Sequence, residues 1–289
     1  MDKKDWDILN AIEEEKSLTK AAEKLFITQP ALSYRLKHLE EAFQTKLFFR
    51  TKRGIEFTSE GEHLVSYAKN RLSEFQKLKD DIFNIGEEVR GTLRIGVSSN
   101  FAQYKLPGLL KKFSASYPNI QFEVQTGWSI EIMRLLNSSQ IHIGILRGDY
   151  EWEGEKSLLI KEQLYIISKS KIRLDDLPQL PFIYYNTDNS LKRLINRWWN
   201  DHFSQSPLTT MEVDRQETSK EMVKHDLGFA VVPEICLRSS DELFTEGLSY
   251  KNGEPVMRDT WLMYRTDFLQ LNIVKAFIDF LQKQRTVKI

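Results

Sequence analysis

At 289 residues the chain exceeds one ordinary domain of about 100 to 200 residues and is long enough to bury two real cores. Hydrophobic residues at 41% and charged residues at 28% exclude a disordered or low-complexity protein, and a lone cysteine, Cys236, excludes a disulfide scaffold. Forty-one basic and 41 acidic residues cancel, so the overall charge gives no cause to suspect nucleic acid.

The longest stretch free of Asp, Glu, Lys and Arg is 12 residues, Leu135 to Leu146, well short of the roughly 20 that a membrane helix needs. No apolar run follows the charges of the amino terminus, which therefore does not read as a secretory signal. A cytoplasmic protein with no membrane partner is expected.

Charge is unevenly spread. Lys16 to Arg53 carries nine basic residues against three acidic ones, whereas Asp2 to Glu15 carries six acidic against two basic. A basic patch beside an acidic flank is one footprint of phosphate binding, and a solvated mixed-charge face is the other meaning of the same counts.

Trp6, Leu9 and Ile12 fall at helical spacing and predict a first helix; Leu18, Ala21, Ala22 and Leu25 predict a short second one. After Phe26-Ile27, Thr28 suits an N-cap and Pro30 the first turn of a third helix. On that helix Leu32, Leu36, Leu39 and Phe43 form one stripe, expected to be core. Gln29, Pro30, Ser33, Tyr34, Arg35 and Lys37 occupy the rest of the surface, chemistry suited to base edges in a major groove. Residues 47 to 58 alternate apolar and polar around Thr51-Lys52-Arg53-Gly54 and predict a hairpin. Its tip carries Arg50, Lys52 and Arg53, placed as a wing would be to meet the sugar-phosphate backbone.

The blocks Leu18-Thr19-Lys20-Ala21-Ala22-Glu23-Lys24-Leu25, Thr28-Gln29-Pro30-Ala31-Leu32-Ser33, Leu36-Lys37 with Leu39-Glu40, and Leu47-Phe48-Phe49-Arg50 together resemble the winged helix-turn-helix of LysR-type transcriptional regulators. The blocks come in the family's order and spacing, and the resemblance extends over essentially the whole chain. It implies that Gln29, Pro30, Ser33, Tyr34 and Arg35 face bases, with Thr28 beside them, and that Lys37, Arg50, Lys52 and Arg53 lie on phosphates. The partners it implies are double-stranded promoter DNA, a second copy of the chain in a dimer or tetramer, a small-molecule effector, and RNA polymerase.

Ser59 and Glu62 have capping-box spacing, and Leu64, Ala68, Phe75, Leu78, Ile82, Ile85 and Val89 then step by alternating fours and threes, broken at Arg71 with Leu72 beside it. A long helix with a narrow apolar seam suits a partner helix, and the family's linker helices pair antiparallel. A helix lying on its own domain is the other reading.

Beyond Gly86 to Gly91, strand and helix segments alternate. Thr92–Val97, Phe122–Thr126 and Ile141–Leu146 read as strands around helices at Tyr104–Tyr117 and Ile130–Asn137, a βαβαβ pattern that implies a parallel sheet covered on both faces. A second set runs from Phe182 to Val232, and a strand at Thr260–Tyr264 and a last helix close the chain. The expected architecture is a multidomain α+β protein. With the resemblance it implies residues 1–58 as a winged helix-turn-helix, 59–90 as a linker helix, and 91–289 as an α/β effector domain, which in LysR-type regulators is like periplasmic binding proteins. In that family the tail returns to the first lobe, so the resemblance implies a first lobe of 91–161 with 267–289 and a second of 162–266, with crossovers near Ile160–Gln163 and Arg265–Phe268.

Ligands of open α/β sheets bind beyond the carboxyl ends of strands. That rule selects Ser98, Ser99, Asn100, Thr126, Gly127, Ser129 and Arg147, with Asn186, Thr187 and the Gln216-Glu217-Thr218 turn across a cleft. Hydroxyls, helix ends and a guanidinium favour an anion; capping and turn duty is the plainer account of each Ser, Thr and Asn. The resemblance places effector contacts at Ser98, Ser99 and Thr126.

Two positions depart from the family: His142 stands where an acidic residue is usual, and a His-Pro pair is missing around Ser168-Lys169-Ser170-Lys171. The five histidines show no metal-ligand spacing, and no HExxH, CxxC, P-loop or GxGxxG pattern occurs, so neither cofactor nor catalysis is expected. Cys236, after the apolar Val231-Val232, reads as inert core with a redox switch as the other reading, and Trp198-Trp199 as helix packing with one ring open to a partner subunit. The alternative function is a solute-binding or enzymatic α/β protein whose helical head never touches DNA.

Overall fold

The computed structural model describes residues 1–51, 54–83 and 88–285, less the side chains of residues 50, 83, 239 and 285. The chain divides into two compact units, Met1–Ile85 and Gly86–Ile289.

In the first unit, α1 (Lys3–Glu15), α2 (Leu18–Lys24) and α3 (Gln29–Phe43) precede a hairpin of β1 (Phe48–Thr51) and β2 (Gly54–Phe57), and α4 (Ser59–Phe83) follows. Each of the first three helices begins on a side-chain cap. The Asp2 carboxylate accepts the Asp5 N–H at 3.1 Å, the Ser17 hydroxyl accepts Lys20 N–H at 3.4 Å and Thr28 Oγ1 accepts Ala31 N–H at 3.4 Å. Leu9, Ile12, Ala21, Leu32 and Leu36 make the core with Leu47 and Ile55 of the hairpin and Val65 and Ala68 of α4. Phe43 leaves the expected stripe and is exposed, because α3 ends there and Gln44 turns left-handed.

The start of α4 is one residue earlier than the Ser59 cap predicts: Thr58 Oγ1 accepts Gly61 N–H at 3.0 Å. Only the early seam residues Leu64 and Ala68 are buried, in this unit's own core, while Phe75, Leu78 and Ile82 are exposed. Val89 is not helical and packs into the second unit's core, and Ile85 lies outside the described residues.

The second unit has two lobes. In the first, β3 (Gly91–Ser98), β4 (Ile120–Gly127) and β5 (Ile143–Arg147) are parallel, with β3 between the other two. Six consecutive buried positions, Leu93 to Ser98, explain why β3 reads as an unbroken run rather than an alternation. A short helix that the sequence does not predict, α5 (Ser99–Tyr104), precedes the helix predicted at 104–117, which is α6 (Leu106–Ser116); Pro107 lacks the N–H that one continuous helix would need there. α6 packs on one face of the sheet and α7 (Ser129–Asn137) on the other.

The long β6 (Glu155–Ser168) carries the chain into the second lobe. There β7 (Phe182–Tyr185), α8 (Asn189–His202), β8 (Thr209–Val213), α9 (Gln216–Lys224), β9 (Ala230–Pro233) and β10 (Phe244–Gly247) assemble. β7 and β8 pair in parallel, and the distal half of β6 pairs antiparallel with β9 and β10. Trp198 and Trp199 are both buried, their indole N–H groups donating to Ser249 O and Gln205 O, so neither ring is open to a partner.

β11 (Met257–Tyr264) and α10 (Asn272–Arg285) return to the first lobe. The first crossover falls where it is predicted, since β6 pairs with β11 through Gln163 and with β9 from Leu164. The second does not. All of β11 already pairs with β6, and Thr260–Tyr264 with β5, so the return lies at Val256–Met257 rather than 265–268 and the first lobe takes back residues from 257. Val256 packs in the second lobe's core and Leu262 in the first's. His142 is buried at a strand start, its Nδ1 accepting Arg94 N–H at 3.2 Å and its ring edge-on to Phe268 at 5.0 Å.

Candidate nucleic-acid interface and ligand cavity

On α3, Thr28, Pro30, Tyr34 and Lys37 are exposed and Gln29 and Ser33 half-buried, Gln29 Nε2 donating to Ser33 Oγ at 2.9 Å. Arg35 is turned away from this set: its Nη2 donates to Asp2 at 2.9 Å and its Nε lies 3.5 Å from Asp5. The Arg35 guanidinium holds the Asp2 carboxyl below its usual range, aided by the Asp5 backbone N–H. Lys24 likewise reaches Glu14 and Glu15. The acidic flank of the sequence thus neutralises specific members of the basic patch. His38, missed by the sequence reading, is exposed one turn beyond Tyr34 with the rings 5.4 Å apart.

The hairpin pairs Phe48 with Phe57 and Thr51 with Gly54; between these last two the sequence runs Lys52-Arg53. Those two residues and the Arg50 side chain lie outside the described residues. Gly54, at φ +123°, is the left-handed position; a Cβ there would strike the Lys16 carbonyl oxygen.

In the second unit a cavity of about 780 Å³ opens between the lobes. Ser98, Ser99, Asn100, Thr126, Gly127, Ser129, Arg147, Asn186 and Thr187 all line it. Thr218 does not: α9 begins at Gln216, so Gln216 and Glu217 meet the cavity and Thr218, further along the first turn, points elsewhere. Tyr185, Asp188 and Arg258 also line it and escape the sequence reading. Asp188 carries a signal, an N-cap residue before Leu191; Arg258 emerges only once the return crossover is placed at Met257.

The polar groups differ in availability. Ser129 Oγ accepts Arg147 N–H at 3.0 Å and lies 3.2 Å from Arg147 O, so this hydroxyl serves the backbone. Asn100 Nδ2 donates across the cavity to Gln216 Oε1 at 2.9 Å, and Tyr104 OH to Glu217 Oε1 at 3.3 Å, which ties α5 to α9. Arg147 is buried and pairs through Nη2 with Glu162, whose other oxygen accepts Ile235 N–H at 2.7 Å. Its Nε and Nη1 have no hydrogen-bond partner among the described residues, nor has the buried Ser98 Oγ. Arg258, also buried, pairs through Nη2 with Asp188, the cap of α8. Burial lowers the Arg258 pKa, and the Arg147 charge lowers it further. Both guanidinium groups thus hold nitrogens without a hydrogen-bond partner among the described residues, Nε and Nη1 of Arg147 and Nε of Arg258.

Cys236 lies behind this site, fully buried, its thiol pushed up to about 12 by burial. Among the described residues no group of His, Cys, Asp and Glu could hold a metal ion, and no helix is long and apolar enough to cross a membrane.

Residues 4–62 match the family described as bacterial regulatory helix-turn-helix protein, lysR family, and residues 86–286 match the LysR substrate binding domain. The HTH-type transcriptional regulator YraN of Bacillus subtilis (strain 168) is 54% identical over 289 residues, all of both chains. YkuM of the same organism is 36% identical over 277 residues, 95% of this chain and 94% of the relative. Among solved structures, full-length CbnR complexed with its target DNA has a TM-score of 0.69 at 18% identity, over 98% of this chain and 99% of CbnR. The full-length virulence activator AphB of Vibrio cholerae has a TM-score of 0.64 at 16% identity, covering 98% of this chain and 99% of AphB.

Proposed function

The chain belongs to the LysR family of DNA-binding transcriptional regulators, and from that premise we infer that its regulatory unit senses a small anion held in the 780 Å³ cavity. The observation that carries this reading is Arg147: a buried guanidinium on the wall of a cavity that polar groups line, with two nitrogens, Nε and Nη1, that have no hydrogen-bond partner among the described residues. Burying unsatisfied donors costs free energy that a carboxylate or similar acid group would recover.

The head binds double-stranded DNA, with α3 as the recognition helix. Gln29, Pro30, Ser33 and Tyr34 offer base-reading chemistry, and Lys37, Arg50, Lys52 and Arg53 phosphate contacts. Arg35, engaged with Asp2 and Asp5, orients α1 against α3 instead. The exposed Phe75, Leu78 and Ile82 on α4 supply a seam for a second copy, so the working form is a dimer or a tetramer on an interrupted palindrome. Closure of the lobes on the anion alters these DNA contacts and thereby transcription, in the cytoplasm and without catalysis.

The test is thermal unfolding of the full chain with carboxylic acids, phosphate and sulfate, each carboxylic acid paired with its neutral amide. An acid at 100 times its Kd stabilises by about 2.7 kcal/mol, and its amide leaves the transition in place. Amides that stabilise as well as their acids would overturn the anionic reading.

A further inference from the structure

The charges on the cavity wall are segregated. Of the residues that the first lobe's opening segment, 91–161, contributes, Arg147 alone is charged, and near it stands Ser98 with its buried, unpartnered hydroxyl. The second lobe contributes Asp188, Asp214 and Glu217 against Arg215, and the hinge strand β11 adds Arg258. Glu162 sits behind Arg147 and neutralises it on one side. The wall itself carries three carboxylates and three guanidinium groups, and Glu162 behind it adds a fourth carboxylate. A dianion would add two negative charges to a wall whose own charges balance and whose second-lobe face is mostly acidic, where like charges repel. A ligand with one acid group and one cationic group adds no net charge and matches both walls.

Resting on the anionic reading above, we propose that the cavity takes a zwitterion of the α-amino-acid class, its carboxylate on Arg147 Nε and Nη1 with Ser98 Oγ, its ammonium on Asp188. Asp188 is suited to that role. Its oxygens each hold one partner, Leu191 N–H at 3.0 Å and the Arg258 guanidinium, and a carboxylate oxygen accepts a second donor. The wall has few apolar side chains, Ala102, Trp128 and Tyr185, which suits a polar ligand better than an aromatic acid.

The experiment measures thermal stabilisation and calorimetric affinity of the full chain with the common α-amino acids, their 2-oxo acids, their amino amides, and succinate. It is repeated on Asp188→Asn, which keeps an N-cap residue on α8, and on Ser98→Ala, which removes a hydroxyl that holds no partner. At least one amino acid binds, its 2-oxo acid binds tenfold or more weakly, and Asp188→Asn removes about tenfold of affinity for the amino acid alone, whereas Ser98→Ala weakens both acids. Binding of 2-oxo acids or succinate as tight as that of amino acids overturns the zwitterion and leaves the anionic effector standing. Amino amides that bind as tightly as amino acids overturn both, and so does the absence of binding by every anion, phosphate and sulfate included.

Discussion

The Arg147–Glu162 pair makes the sharpest demand on the fold. Both side chains are almost wholly buried, 1% and 4% exposed. Replacing Arg147→Met keeps an apolar stem of similar length but leaves the Glu162 carboxylate with Ile235 N–H, at 2.7 Å, as its hydrogen-bond donor. Removing one member of a buried ion pair costs about 3–5 kcal/mol, because the other charge stays desolvated. A unit of about 200 residues loses roughly 2–4 °C per kcal/mol, so the regulatory unit should melt roughly 6–20 °C lower. Adding Glu162→Gln removes the stranded charge, and the double variant should regain most of that loss. Scanning calorimetry with urea titration as a second readout measures all three chains. A single variant less than about 1 kcal/mol below the parent, or a double variant no better than the single, would show that Glu162 is solvated and that the site is not dry.

Three further outcomes follow from the same structure. Gly148 sits at φ +101° with Ser190 Oγ where a Cβ would go, so Gly148→Ala should cost about 1–3 kcal/mol by urea unfolding; an unchanged midpoint would show that the contact between the lobes is loose. Neutralising Arg50, Lys52 and Arg53 together should weaken DNA binding on any sequence and flatten the log-affinity against log-salt slope by roughly 2 to 3; wild-type affinity and slope would remove the wing from the interface. Cys236, with its thiol raised by burial from 9.0 to about 12, should resist alkylation in the native chain and react once it unfolds. Because its folded pKa lies above the unfolded one, its contribution to stability is whole below about pH 9 and fades as pH rises toward 12, and native labelling at neutral pH would contradict the burial.

Much of this protein is legible in its sequence because its local signals agree with its packing. Thr28 and Pro30 announce α3, an alternation around two basic residues announces the hairpin, and unbroken apolar runs announce β3 and β5. The polar positions after those strands converge on one cavity because parallel strands of a sheet end together. What escapes depends on pairing between distant segments. Nothing local to Met257–Tyr264 says that this strand lies against both β5 and β6, so the sequence puts the return crossover too late and hides Arg258. Arg35 has the chemistry of a base reader, yet the partner that engages it, Asp2, is 33 residues away. Phe43 continues a helical stripe whose helix simply stops.

The central claim is that a small acid in the cavity controls how the head holds DNA. Fluorescence anisotropy with a labelled fragment of the promoter regulated by this chain tests it directly, with the parent and Ser98→Ala each titrated with and without an acid that stabilises the parent. The expected result is a change in DNA affinity of about 5- to 150-fold for the parent, and for Ser98→Ala the same change only at higher ligand concentration. Equal affinity of the parent with and without saturating ligand would contradict it.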